Sequence, residues 1–384
     1  MKSLWNLGFR PFFLFGSLWA AFHILVWIAF QTGKFPFFSI SDPITWHAHE
    51  MIFGFASAIV AGFLLTASQN WTGIRGVHGQ KLKFLAGIWI LARLFSTVSG
   101  KFYFFYAIID LSFYPMLAWY LKPYLLQKSQ RRNQIFFLLF FILFAANVVI
   151  HLSHFQQSFV PLSRSILLLC IYVVIMMIAL IGGRVIPFFT TNVLPLANPR
   201  RHPLIEDLSF VSIAVVGISI TFLEFTKISA VLAFLAGAIH LIRWLLWKPW
   251  KSVHLPILFI LYVAYTWIPI GFLMRGLASL HIIPPSLSTH AFTTGAIGTM
   301  IYAMITRVSL GHMGLPIRAS KPILLGYLLM VICAFLRVLG PWIFPEQTLF
   351  MIELSGYAWS LAFLIYVMMY GPLLIGPRKD GKEG

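Results

Sequence analysis

Apolar and polar positions in this chain fall into blocks: runs of about 20 apolar residues broken by short polar punctuation. A helix rises 1.5 Å per residue and the hydrocarbon core of a bilayer is about 30 Å thick, so each block is one span long. Twelve blocks can be placed, at 11–31, 47–68, 82–99, 102–121, 134–151, 163–189, 208–224, 228–247, 255–275, 287–306, 321–340 and 347–371. Turn signals fill the joins, among them Asn70-Trp71-Thr72-Gly73, Asn198-Pro199 and Pro284-Pro285-Ser286. No join could hold a soluble domain. The pattern predicts an all-α polytopic membrane protein, a bundle of about twelve transmembrane helices forming a single transmembrane domain over 1–384. The first block follows Lys2 and Arg10 as a signal peptide would. Its apolar run is too long and no small-x-small site follows, so an uncleaved first helix is expected.

Composition agrees: 60% of the 384 residues are apolar and 10% charged, against about 25% charged in an average soluble domain. A water-soluble fold is excluded. The net charge of +18 would suggest nucleic acid in a soluble domain, but here the cations sit in short clusters between apolar blocks and read as topology signals. No nucleic-acid partner is expected; membrane lipid is. With twelve spans both ends share a side, which carries 21 Lys and Arg against six on the other, Arg93 lying within a span. Under the positive-inside rule this bias predicts both termini in the cytoplasm.

The two cysteines, Cys170 and Cys333, lie inside apolar blocks and offer neither a disulfide frame nor a Cys-ligated metal site. Metal chemistry would rest on the twelve histidines. His47 and His49 open the second span at its outer end, His151 and His154 close the fifth there, and His290 begins the tenth. Five histidines from three spans thus share one depth, whereas the others, including His23, His240 and His312, are scattered. A single imidazole at membrane depth is as readily a satisfied structural group as a ligand. Several at one level point to a pathway or a bound ion.

At 100° per residue His47 and Glu50 share a helical face, whereas His49 points about 200° away from His47. A regular helix cannot turn both imidazoles to one iron. Either the second span serves two sites, or Pro43 unwinds its first turn, or one histidine supports the other's ligand. His151 and His154 share a face, and Asn147, one turn earlier, could orient an imidazole. Imidazoles in an apolar bundle suit haem iron or copper better than oxygen-seeking cations. Glu50 raises zinc, but a zincin needs a second His where Phe53 stands. Arg93 and Asp110 flank the turn near Gly100 at similar depth and are expected to pair; Arg337 and Glu353 flank another turn and could pair likewise.

Several motifs together resemble the NnrS family: Gly8-Phe9-Arg10-Pro11-Phe12-Phe13, Trp46-His47-Ala48-His49-Glu50-Met51-Ile52-Phe53-Gly54-Phe55, Asn70-Trp71-Thr72-Gly73, Gly183-Arg184-Val185-Ile186-Pro187-Phe188-Phe189-Thr190, Thr289-His290-Ala291-Phe292-Thr293-Thr294-Gly295-Ala296-Ile297-Gly298 and Thr306-Arg307-Val308-Ser309-Leu310-Gly311-His312. The resemblance implies a bacterial inner-membrane protein of twelve helices containing haem and copper, active in the nitric oxide response and in protection against nitrosative stress. His47, His49 and His290 match the family's motif histidines, and His151 ends a familiar Asn-x-x-x-His stretch. His154 matches none of these motifs. The resulting expectation is haem b, with copper as a second candidate, held by His47, His49, His151 and His290; His154 joins them as a candidate metal ligand. Nitric oxide is the expected ligand, a quinol or cytochrome the electron donor of an oxidoreductase of the nitric oxide reductase type, and Glu50 the carboxylate placed to deliver protons. The alternative is a transporter of copper, haem or another small solute, first bound by the outer histidines.

Overall fold

The computed structural model describes residues 2–34, 42–98, 102–223 and 226–381. Among the described residues there are no strands, and twelve long helices follow one another: α1 (Phe9–Gln31), α2 (Pro43–Thr72), α3 (Gly79–Val98), α4 (Tyr103–Leu125), α5 (Ile135–Phe155), α6 (Val160–Val193), α7 (Pro203–Phe222), α8 (Lys227–Leu246), α9 (Pro256–Ser279), α10 (285–312), α11 (Lys321–Val338) and α12 (Thr348–Ile375). Among the described residues, ten helical stretches are long and apolar enough to cross a membrane. The remaining two of the twelve expected spans are α3, diluted by Lys81, Lys83 and Arg93, and α10, diluted by its serines, threonines and glycines with His290 and Arg307. The chain is a multi-pass all-α membrane protein.

Helix starts follow from local chemistry. The Asp42 side chain accepts the Ile44 N–H at 3.0 Å and the Thr45 hydroxyl at 2.9 Å, with Pro43 in the first helical position, so α2 begins where the sequence supplies a cap and a fixed φ. It ends at Gly73, whose φ of 69° is the left-handed conformation that closes a helix. Among the described residues two helices change type along their length: α2 widens to a π-helix over Glu50–Ala56, and α10 over Ala291–Gly298. Each π segment starts directly after a motif histidine, and such segments cluster at functional sites.

The described contacts divide into two compact units, one comprising Met1–Cys170, Val308–Pro316 and Phe363–Gly384, the other Ile171–Arg307 and Ile317–Ala362. Both are discontinuous in the chain, and three of their four boundaries lie within helices, the fourth, Pro316/Ile317, falling in the join between α10 and α11. In the first unit α1 packs on α2 through small residues: a Cβ on Gly62 would lie 2.8 Å from the Cβ of Phe12. The Phe9 N–H donates to Thr66 Oγ1 at 2.9 Å, and buried Arg10 donates to the carbonyls of Leu374 at 2.9 Å and Gly376 at 2.7 Å, filling open acceptors at the end of α12. In the second unit α8 packs on α7 and α9, and Arg243 donates to Glu206 at 3.1 and 2.7 Å and to the Tyr265 hydroxyl at 2.9 Å. No ion pair joins Arg337 to Glu353 among the described residues. Two short helical segments, Gly340–Ile343 and Pro345–Gln347, separate their helices in place of a simple hairpin turn.

Candidate metal centre

Five helical segments of the first unit bring a polar cluster together in an otherwise apolar interior: α1, α2 with its π turn, α3, α4 and α5. The starting point is the ion pair that spacing across the Gly100 turn predicts. Arg93 of α3 is bonded to Asp110 Oδ1 of α4, and its Nε also lies 3.3 Å from Glu50 Oε2. Arg93 therefore faces two carboxylates, all three side chains being at most 4% exposed. With both carboxylates ionised the guanidinium cancels one and leaves one negative charge in a low-dielectric interior, an arrangement that calls for a further cation.

Two imidazoles face that surplus. His49 Nε2 lies 3.2 Å from Asp110 Oδ2 and 2.9 Å from Asn147 Oδ1, and His151 Nε2 lies 3.2 Å from the same Asp110 Oδ2. Asn147 also donates to this oxygen, at 2.6 Å. One ligand atom each from His49, Asp110 and His151 fall within 4.8 Å of one another. The other ring nitrogens are engaged from behind. His49 Nδ1 is 3.0 Å from Glu50 Oε1, which also accepts from the Tyr106 hydroxyl at 3.2 Å, and His151 Nδ1 is 2.9 Å from the Tyr103 hydroxyl. Asn147 donates its Nδ2–H to Asp110 and turns Oδ1 to accept from His49 Nε2–H, while His151 Nε2–H donates to Asp110; a metal ion at this point would replace those Nε2 protons, with Nδ1–H donating to Glu50 and Tyr103, the kind of outer partner that fixes the tautomer of a metal-binding imidazole.

The π turn makes room for this. Gly54 sits one turn beyond Glu50, and a Cβ there would lie 2.8 Å from Trp19 Nε1, 2.9 Å from Arg93 Nη1 and 3.1 Å from Glu50 Oε2. Only glycine lets the three side chains close over the π segment, and the Trp89 indole N–H donates to its carbonyl at 3.0 Å. A small cleft of about 30 Å³ adjoins the cluster; His49, His151, Tyr103 and Tyr106 line its inner end and Asp42 and His154 are also in its wall.

The structure separates the five histidines that sequence places at one depth. His47 turns away from His49, as helix geometry requires, so α2 serves two places. His47 Nδ1 shares a hydrogen bond with His23 Nε2 at 3.1 Å, and its ring stacks on Trp27 with centroids 4.4 Å apart. His154 stacks on Tyr103 at 3.5 Å. His290 belongs to the second unit, where its Nδ1 donates to the Ser286 carbonyl at 2.7 Å. Of the scattered histidines, His240 has both nitrogens taken, by Tyr265 and by the Ser209 carbonyl, and His312 packs on Phe9. Sequence reasoning assigned Asp110 a structural pairing alone and passed over Tyr103 and Tyr106. The available signal was Asp110 itself, a carboxylate at the depth of the histidines.

The donor set fits a compact metal ion: two imidazoles and one carboxylate, with positions left open, is an arrangement used for iron(II) and, with minor change, for zinc or copper. It does not fit a haem held axially by His49 and His151. Both Nε2 atoms converge on a single carboxylate oxygen and Asn147 bridges that oxygen to His49, so protein fills the plane a macrocycle would occupy between the rings.

No curated protein gives a significant match to the chain. The profile of the NnrS family, described as NnrS protein, matches residues 3–378, nearly the whole length, with the His49, Asp110 and His151 cluster inside it. The chain therefore belongs to the NnrS family and is a polytopic membrane protein of the nitric oxide response.

Proposed function

We propose that this protein protects against nitrosative stress by binding nitric oxide at one transition-metal ion, iron(II) in the first instance, held by His49, Asp110 and His151. The observation that carries the reading is the convergence of these ligand atoms within 4.8 Å, beside two buried carboxylates that share one arginine. The ion would supply an open coordination position for the gas; the remaining work falls to the chain. Glu50 and Tyr103 hold the two imidazole tautomers, Arg93 fixes both carboxylates, and the surrounding apolar helices keep the site dry and open to an uncharged diatomic ligand. In this reading Glu50 is a positioning residue that acts through His49. Haem b, copper, reduction of nitric oxide and a quinol or cytochrome donor rest on the family resemblance. A haem would take its imidazole from His47 or His290.

Metal analysis and nitric oxide difference spectra of purified protein test this. The expected result is one tightly held ion per chain, lost together with the nitric oxide signal in His49→Ala, Asp110→Asn and His151→Ala, and retained in His47→Ala and His290→Ala. A b-type haem spectrum that disappears on loss of His49 or His151 would overturn the compact-ion reading.

The 21 to 6 bias of Lys and Arg supports placement in the bacterial inner membrane with both ends in the cytoplasm. Reporter fusions at Gly384 should be active only as cytoplasmic reporters; periplasmic activity would reverse the orientation.

A further inference from the structure

The cavity beside the centre has a chemistry of its own. Its inner end is formed by His49 and His151, and it reaches the solvent-exposed ion pair of Asp42 and Arg164, 3.0 Å apart. Between these limits its wall includes the hydroxyl-bearing Ser153 and Ser163 and the ring of His154. His154 Nδ1 is buried and has no hydrogen-bond partner among the described residues. Its ring lies flat on Tyr103, 3.5 Å away and within 10° of parallel, and the Tyr103 hydroxyl in turn holds His151. Burial alone would raise the Asp42 carboxyl, but hydrogen bonds from Thr45, Arg164 and the Ile44 N–H, with the charge of Arg164, outweigh it and set Asp42 below its ordinary value. The wall thus offers an ionised carboxylate at one end, two imidazoles that contact Asp110 at the other, and an imidazole nitrogen without a hydrogen-bond partner among the described residues between.

Nitric oxide, small and uncharged, needs no such lining, since it crosses apolar packing directly. A cation does, because each step through low-dielectric protein must exchange water for another lone pair. We propose that this cavity is the loading route of the metal centre, taking a divalent transition-metal ion from the face on which Asp42 lies and passing it through His154, a transient ligand, to His49, Asp110 and His151. The proposal rests on the metal-centre reading above. In it, His154 sets the rate of loading and leaves the final affinity unchanged.

The test uses metal-stripped full-length protein in detergent and Co²⁺ alone as the probe, followed by its visible absorption. His154→Phe keeps a ring on Tyr103 and removes both nitrogens; Asp42→Asn keeps a capping side chain and removes the charge. Each is expected to slow Co²⁺ loading about tenfold, the size of effect that charge and ligand focusing in a cleft has on association. Final stoichiometry and absorption should match the unaltered protein, and the Asp42 effect should shrink at high salt. Loading of His154→Phe at the unaltered rate would overturn the route while leaving the centre intact. Reduced final Co²⁺ content or an altered spectrum in His154→Phe would make His154 a resident ligand, which also overturns it. Unaltered protein that takes up no Co²⁺ would remove the centre itself, and the route with it.

Discussion

Replacing Arg93 with Met is expected to destabilise the protein by about 3–5 kcal/mol, the cost of leaving a buried charge without its partner. The site makes this estimate a conservative one, because Arg93 serves Asp110 and Glu50 at once and neither can reach water. Its loss sets two carboxylates against each other at membrane depth, with only His49, His151, Asn147 and Tyr106 left to donate to them. The double change Arg93→Met with Asp110→Asn removes one charge of each sign and should recover a substantial part of the loss, the non-additivity that coupled groups show. Thermal unfolding followed by size-exclusion chromatography of metal-stripped protein measures both. Equal losses in the single and double variants would leave the pairing without energetic support.

Glu50→Gln is expected to weaken metal binding by about 10–100-fold, the usual consequence of altering the carboxylate behind a metal-binding imidazole. Glutamine can still accept the His49 Nδ1–H, so the ring keeps its orientation. What it loses is the negative charge that makes Nε2 a stronger donor and helps offset the charge of the ion. A chelator-competition titration reads the change directly, and at saturating metal the nitric oxide spectrum should return. If Glu50 instead served mainly to deliver protons, the substitution would leave metal affinity untouched and slow only a turnover reaction; unchanged affinity would therefore remove its positioning role.

Much of this architecture is decided locally and is legible along the chain. A helix that satisfies its own backbone is one of only two structures that can cross a bilayer, so apolar runs of span length fix the fold class with no reference to neighbours. The Asp42-Pro43 start and the Gly73 stop of α2 are equally local, and the divergence of His47 from His49 follows from 100° per residue alone. The pairing of Arg93 with Asp110 was legible because two ionisable groups at one depth, 17 residues apart across a turn, have few other partners. The joint site was not legible. That Asp110 is also the meeting point of His49 and His151 depends on how α2, α4 and α5 rotate about their axes, and composition in a uniformly apolar helix does not set that rotation. Hydropathy assigns no face to a helix that is apolar all round. Rotation is set by small residues such as Gly54 and Gly62, by the extra width of a π turn, and by hydrogen bonds that form only once the helices are side by side. The sequence therefore offered a set of candidate histidines, of which packing brings His49 and His151 together at Asp110. Which of them meet at one carboxylate was decided only by tertiary packing, because convergence of side chains from separate helices has no signature in the order of residues along any one of them.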